Sequence, residues 1–464
     1  MRVDAEAMSS NATLSEVAGR FLDLASRAAA EGQPLRFDKS GLPPWALRYP
    51  YKLQDWPTFL DPEACRRFGA AAVRVSRLVK SVPQRIFDGD AERISAFYGF
   101  AQPDQVAMAL SEPNGIPGAL TRVDCIDGPS GLRCLECNAT GFLGGWQGTL
   151  FARRLLENPW MREFLARNGL SASYIDPMQR LYTHIAGEAV AGSLVTGDEL
   201  NVAFLVGDHP LPPFAPVFAE DFDRLVGHLL PGLSGRLIFC RAGELRNERG
   251  SLLAAGKRMH AVVEYHGGMT PPPVFRALKL GMVNVYNGPS VLLLSDKRNL
   301  ALLSEHEESD AFTAGEREDI RSYIPWSRLV REGATTFHGE RVVFPGFLLA
   351  ERERLVIKDG LSTRGEGVHI GAACGGEEWA GIIQRSLATG SWMAQELVPS
   401  FSYLYQEAGG EVSPHDLVWG LFAFGDTHGG IFLRMMPQGR GGIINSARGA
   451  SEGLVYKVST REEP

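Results

Sequence analysis

Four polar side chains in the segment TRVDCIDGPSGLRCLECN define the chemistry open to this chain. Its alternation puts Arg122, Asp124, Glu136 and Asn138 on one face of a β-hairpin, and Val123, Cys125, Leu135 and Cys137 on the other. With the turn running from Asp127 to Gly131 and centred on Ser130, Asp124 faces Glu136 and Arg122 faces Asn138. Cβ atoms so placed lie about 5 Å apart. Facing carboxylates repel unless something positive lies between them, and magnesium, which takes oxygen ligands from one or two carboxylates plus phosphate and water, answers that need. Arg122 would then keep its planar fork for an anionic substrate group. The plainer alternative is an exposed strand face whose charges pair in solution. Gly141, Gly144 and Gly145 follow at once and allow close backbone approach to a ligand. Cys134 and Cys137 form a CxxC, but strand pleating sends them to opposite faces and no second pair completes four zinc ligands.

A second set of residues is basic. Lys358 ends the apolar strand ERLVIK, and the loop after it offers Ser362, Thr363, Arg364, Gly365 and Gly367. Lysines act on phosphate as point charges, and glycines let backbone N–H groups converge on it, so this loop reads as a flap over a nucleotide, although it is not a Walker A motif. Glu366 in the same loop is a candidate metal ligand. Lys297 opens a helix in SDKRNLALL and suits a further phosphate. The strand Gln395, Glu396, Leu397 and Val398 offers its backbone to an adenine edge. Arg434 and Asn445 lie near the end of the chain as candidate substrate contacts.

These residues sit in a chain of 464 residues with 44% hydrophobic and 22% charged side chains, the composition of a globular enzyme of two or three subdomains. A formal charge of −7 gives no basic field for nucleic acid. No apolar run reaches the roughly 20 residues that span a bilayer, and the start MRVDAEAMSSNATLSE lacks a signal-peptide pattern, so a cytoplasmic protein is expected. Six sparse cysteines agree with a reducing compartment. The pattern of elements predicts an N-terminal, mostly helical region over 1–115, with a Pro-rich connector from Pro43 to Pro62. The hairpin and following helices occupy 116–195, and a small α/β layer, in which SLLAAG reads as a helix, occupies 196–290. A linking helix (291–324), a lid with Lys358 and its loop (325–400) and closing antiparallel strands (401–464) complete the chain.

In this order the segments resemble the circularly permuted ATP-grasp ligases, in particular the synthetase domain of glutathionylspermidine synthase and, more distantly, eukaryotic glutathione synthetase. The resemblance rests on Arg122-x-Asp124 and Glu136-x-Asn138 on successive strands, then Lys297, Lys358 with its loop, the QEL strand at Gln395, and the segments around Arg434, Asn445 and Arg448. It implies a mixed α+β and α/β ATP-grasp fold in permuted order, with an antiparallel sheet core, a small α/β substrate layer and an N-terminal helical region. It also implies ATP and Mg2+ as cofactors, with the metal at Asp124, Glu136, Asn138 and Glu366, and with Arg122 and Arg364 serving catalysis. Lys297, Lys358, Ser362, Thr363, Gly365 and Gly367 would hold phosphates, and residues 395–398 the base. The implied activity is an ADP-forming carboxylate–amine ligase working through an acyl-phosphate on small-molecule carboxylate and amine substrates, with no nucleic-acid or membrane partner. Homodimer formation is compatible with it. A small-molecule kinase on the same scaffold, or a nucleotide-binding protein without chemistry, are the alternatives. Lys358-Asp359 stands where the family often has Lys-Pro, Tyr265-His266 where it has Tyr-Arg, and Met435 where an acid often follows the late arginine. Substrate identity is therefore not carried over.

Overall fold

The computed structural model describes residues 5–100, 103–111, 115–139, 143–207, 210–264, 270–362 and 365–460. Eight strands form the main sheet, whose path runs Lys52–Leu60, Ser451–Thr460, Thr427–Pro437, Val412–Phe424, Leu120–Gly128, Gly131–Asn138. Leu170–Tyr174 pairs with Ser451–Thr460, and Tyr403–Gln406 with Val412–Phe424. Only the pairing of Lys52–Leu60 with Ser451–Thr460 is parallel. Leu120–Gly128 is hydrogen-bonded on both edges and buried along its length except at Ile126. The charged face of the hairpin is thus not the exposed strand surface of the plainer alternative.

The hairpin register has Arg122 opposite Asn138, Val123 opposite Cys137 and Asp124 opposite Glu136, as the alternation requires. It then shifts at a bulge, so that Cys125 faces Cys134 and the turn closes between Gly128 and Gly131. A bulge leaves one residue unpaired and re-aims its neighbours. Here it turns Leu135 to the same side as Glu136, and Cys134 takes the core position expected of Leu135. Cys134 and Cys137 consequently join Cys125 in one apolar cluster rather than pointing to opposite faces. Burial pushes both thiols well above their ordinary values, and all six cysteines are free.

Two further elements differ from the sequence pattern. Lys52–Leu60 is a strand inside what reads as a connector, because Pro57 and the flanking prolines hide it and its partner lies near the other end of the chain. Ser251–Ala254, expected as a helix, is the middle strand of a small antiparallel excursion between Arg246–Glu248 and Lys257–Arg258. An apolar run that short carries no period to separate helix from strand, and positive φ at Gly250, Ala255 and Gly256 ends it on both sides.

The surrounding elements hold the hairpin rigidly. Helix Pro62–Arg85 starts on an Asp61 cap that accepts from the Ala64 N–H, and it packs Phe68, Ala72, Val75 and Val79 into the main core. From this helix Arg67 grips Asp127, at the hairpin turn, through two 2.9 Å hydrogen bonds. Four parallel strands, in the order Asn284–Tyr286, Ala261–Glu264, Glu199–Leu205, Ser234–Cys240, form the α/β layer, covered by helix Ala215–Leu229. The lid is an antiparallel sheet in the order Ser327–Leu329, Trp392–Glu396, Leu355–Asp359, Val368–Ile370, backed by helix Gly376–Thr389 through Trp379, Ile382 and Ile383. No described helix is long and apolar enough to cross a membrane.

Candidate functional site

A cleft of about 150 Å3 lies between the lid sheet and the main sheet. The main sheet lines it with Asp124, Ile126, Leu135, Glu136, Val418 and Arg434, and the lid with Val356, Lys358, Val368, Ile370 and residues 395–398. Gly365 and residues 442–445 complete the wall. Apolar liners with a few convergent charges are the usual make-up of a small-molecule site.

The charges are tied together from the hairpin outwards. Arg122 donates from Nε to Asp124 Oδ1 at 2.7 Å and from a terminal nitrogen to Oδ2 at 2.9 Å. Asn138 Nδ2 donates to Asp124 Oδ2 at 3.1 Å and to Glu136 Oε1 at 3.2 Å, so the amide stands between the two facing carboxylates. Arg434 Nη2 approaches Asp124 Oδ2 to 2.7 Å. This contact is an ion pair without hydrogen-bond alignment, and the buried Arg434 Nε has no acceptor. Burial opposes ionisation of Asp124, but Arg122 and Arg434 outweigh it and hold the carboxyl well below its usual range. The repulsion read from the sequence is therefore relieved by protein groups, and the fork of Arg122 is occupied by Asp124.

Small residues make room for this network. A side chain at Gly420 would place Cβ 2.8 Å from Arg122 Cδ and 2.9 Å from the Phe432 carbonyl oxygen. Phe432 lies under both guanidinium groups, each 5.5 Å from its ring centroid. A Cβ on Gly145, at φ +86°, would meet the Phe432 ring at 2.6 Å, and one on Gly144 would lie 3.5 Å from an Arg122 nitrogen. These two glycines thus serve packing around the arginines.

Two lysines enter from the lid side. Lys358 Nζ donates to the Leu135 carbonyl at 2.8 Å and to Gln395 Oε1 at 2.7 Å. The Leu135 acceptor is available because of the bulge, so the bulge couples hairpin to lid. Gln395 is itself fixed by donating to Ser327 Oγ at 3.1 Å. Burial, with Lys297 nearby, pulls Lys358 down to about 8 against the pull of Glu136. Lys297 lies 3.7 Å from Glu136 Oε2 and hydrogen-bonds the Ser362 carbonyl, and its own N–H donates to the Gly360 carbonyl at 2.9 Å. Ser362 Oγ bonds the Asp359 carbonyl at 3.1 Å, and Asp359 N–H bonds the Gly367 carbonyl at 2.8 Å, which closes the base of the loop. Gly365 packs towards Ile443 across the cleft.

The structure thus brings Arg122, Asp124, Glu136, Asn138, Lys297, Lys358, Gly365 and residues 395–398 to one cleft or its immediate border. Ser362 and Gly367 stand at the base of the loop. Glu366 is exposed and does not line the cleft. Gly141, Thr363, Arg364, Tyr265 and His266 lie outside the described residues. Arg434 is more central than a chain-end candidate, because its cross-strand placement, invisible in sequence, puts it against Asp124. Glu396 is held by His338 at 3.0 Å and by Arg354 at 3.8 Å, so its side chain is engaged by the lid itself.

Four cations, Arg122, Arg434, Lys297 and Lys358, meet three carboxylates here, Asp124, Glu136 and Glu452, leaving a small excess of positive charge. Among the described residues no group of three or more His, Cys, Asp or Glu side chains is arranged to hold a metal. A cation that arrives with phosphate and water oxygens needs only one or two carboxylates from the protein. Glu136, whose side chain is 28% exposed, with Asp124 and Asn138 beside it, meets that requirement.

Two sheets closing on one charged cleft, with an α/β layer alongside, give a mixed α/β architecture that resembles the glutathione synthetase-like ATP-grasp fold. The solved structure on which this assignment rests is a glutathione synthetase-like effector, GSS30, from Globodera pallida in its apo form. It aligns with a TM-score of 0.51 at 14% identity, covering 94% of this chain and 96% of that one. D-alanyl-alanine synthetase A from Vibrio cholerae O1 aligns at a TM-score of 0.27 and 9% identity over 57% of this chain and 90% of its own. No family model matches the sequence, and no curated protein matches it.

Proposed function

We propose that this chain is an ADP-forming carboxylate–amine ligase that binds ATP between the two sheets and joins the carboxylate of an amino acid or small peptide to an amine. The observation that carries this reading is the cluster of buried cations on the cleft walls, Arg122, Arg434, Lys297 and Lys358, with Arg434 Nε left without an acceptor. Unpaired buried donors are costly, and a polyanion is what they lack. On this reading the order of hairpin before lid is the permuted one. The apolar liners and the backbone of residues 395–398 receive the base.

Magnesium, held by Asp124, Glu136 and Asn138, would supply charge neutralisation to the phosphates when bound. Lys297 and Lys358 exchange their carbonyl partners, Ser362 and Leu135, for phosphate oxygens. A substrate carboxylate oxygen attacks the γ-phosphorus, the bond to ADP breaks, and an acyl-phosphate results. The work of the protein is positioning and charge stabilisation, so it needs no nucleophile of its own. Arg122 keeps Asp124 ionised, Arg434 faces the reacting carboxylate, and Arg364 is assigned to catalysis by the family resemblance alone. Closure of the Ser362–Gly367 loop keeps water from the acyl-phosphate.

Incubation with ATP, magnesium and pooled amino acids, small peptides and polyamines tests this directly. The expected outcome is ADP, free phosphate released only when an amine is present, and a new condensation product by mass spectrometry. A product that retains the phosphate would mean a kinase, and no ADP under any combination would overturn the reading.

A further inference from the structure

Beyond Arg434 the charged row of the main sheet continues. Val418 and Arg434 are cross-strand partners that both line the cleft, and the next residue in that row is Glu452, paired with Arg434 on Ser451–Thr460. Cross-strand partners share a face of the sheet. Glu452 is buried, yet Arg434 directs its ion pair to Asp124 instead. Its hydrogen bond comes from the N-terminal region: Tyr49 OH donates to Glu452 Oε2 at 2.8 Å. The strand Lys52–Leu60 explains this reach, since Leu53 pairs with Glu452 and brings the residues just before it alongside. Tyr51 packs edge-on against Tyr49 at 5.5 Å, and both rings are half-buried.

We infer that Glu452, held by Tyr49, receives the ammonium of the acceptor amine and takes its proton. This rests on the ligase reading and assigns it an acceptor site built partly from the N-terminal region. A carboxylate beside a tyrosine ring is a receptor for an alkylammonium group. The site follows Arg434 in the row, so a substrate carboxylate facing Arg434 and an ammonium facing Glu452 are neighbours. An ammonium N–H proton passes to a Glu452 carboxylate oxygen, and the freed lone pair forms the C–N bond. The C–O bond to phosphate then breaks with its electron pair on the leaving phosphate, which takes the second N–H proton. Burial raises the Glu452 carboxyl above its ordinary value despite Ser446, Tyr49, Arg434 and Arg122, the direction that strengthens it as a proton acceptor.

The test is a competition in one vessel: ATP, magnesium and pooled amino acids as carboxylate donors, with hydroxylamine competing against a mixture of glycine, ethylamine and 1,4-diaminobutane. Hydroxylamine is largely unprotonated at neutral pH and traps acyl-phosphate without a base. The ratio of amide to hydroxamate therefore isolates the second step from folding and from ATP chemistry. Glu452→Gln, which keeps an acceptor for Tyr49, is expected to lower that ratio at least tenfold, and Tyr49→Phe about threefold. An unchanged ratio in Glu452→Gln, or hydroxamate without any amide from the wild type, would overturn the proposal. Neither product and no ADP from the wild type would instead contradict the ligase reading and remove this proposal with it.

Discussion

The two walls of the cleft are built on opposite plans. On the main sheet the charges satisfy one another: Asp124 is held by Arg122 and Asn138, and Asn138 bridges to Glu136. On the lid side the charges use backbone as a stand-in, Lys358 on the Leu135 carbonyl and Lys297 on the Ser362 carbonyl. One wall is preorganised and the other is poised for exchange. On the proposed reading the difference teaches that the sheet sets where the chemistry occurs, while the lid decides whether a nucleotide is held. Preorganised dipoles and charges incur no reorganisation cost during reaction, whereas groups that must close over a ligand have to be free to move.

The sharpest way to break the comparison is to damage each wall separately. Glu136→Ala removes a partly exposed carboxylate, so its thermal unfolding should match the wild type, while magnesium-dependent ADP formation should fall by more than about a thousandfold. Wild-type-like turnover would remove the hairpin from the mechanism. Arg122→Met, by contrast, strips the bidentate partner from a buried Asp124 and should cost about 3 kcal/mol of stability, read as a lower urea midpoint. A midpoint within error of the wild type would show that Arg434 alone satisfies Asp124.

The lid should respond to pH where the sheet does not. Lys358 titrates at about 8, so below that pH it is charged and draws phosphate, and above it the lysine is neutral until phosphate binding restores its proton. Nucleotide affinity should therefore fall as pH rises through about 8, with proton uptake on binding, and Lys358→Arg should flatten the curve. A flat wild-type curve between pH 7 and 9, on the order of the interval around that value, would contradict the assignment. Gly420→Ala should act on the sheet side alone, costing about 2 kcal/mol by overpacking against Arg122 and Phe432. The smallest effect belongs to Glu366→Gln: being exposed and outside the cleft lining, it should change nucleotide affinity less than about threefold, a few tenths of a kcal/mol.

Much of the sheet wall was legible in sequence, and less of the lid. Period-two alternation and a glycine-bounded turn give the facing of Asp124 and Glu136, because register and side-chain direction are locked together in a hairpin. The bulge at Leu135 was hidden, since one unpaired residue leaves no compositional trace, yet it supplies the acceptor for Lys358 and reverses the roles of Cys134 and Leu135. The source of the charge between the carboxylates was also out of reach. Arg434 meets Asp124 from a distant strand, and Asn138 looks like a ligand until its amide is seen between Asp124 and Glu136. Tyr49 and Glu452 escaped for the same reason, a parallel pairing between the two ends of the chain that Pro57 disguises.

The central claim is that the lid lysines and the main sheet together hold a nucleotide with its magnesium. Calorimetric titration with a non-hydrolysable ATP analogue tests it most directly, in the presence and absence of magnesium, on the wild type and on Lys297→Met/Lys358→Met. The account predicts one site per chain in the wild type, weakened when magnesium is withheld, and affinity at least a hundredfold lower in the double variant. Absence of binding to the wild type, or equal affinity in the double variant, would contradict it.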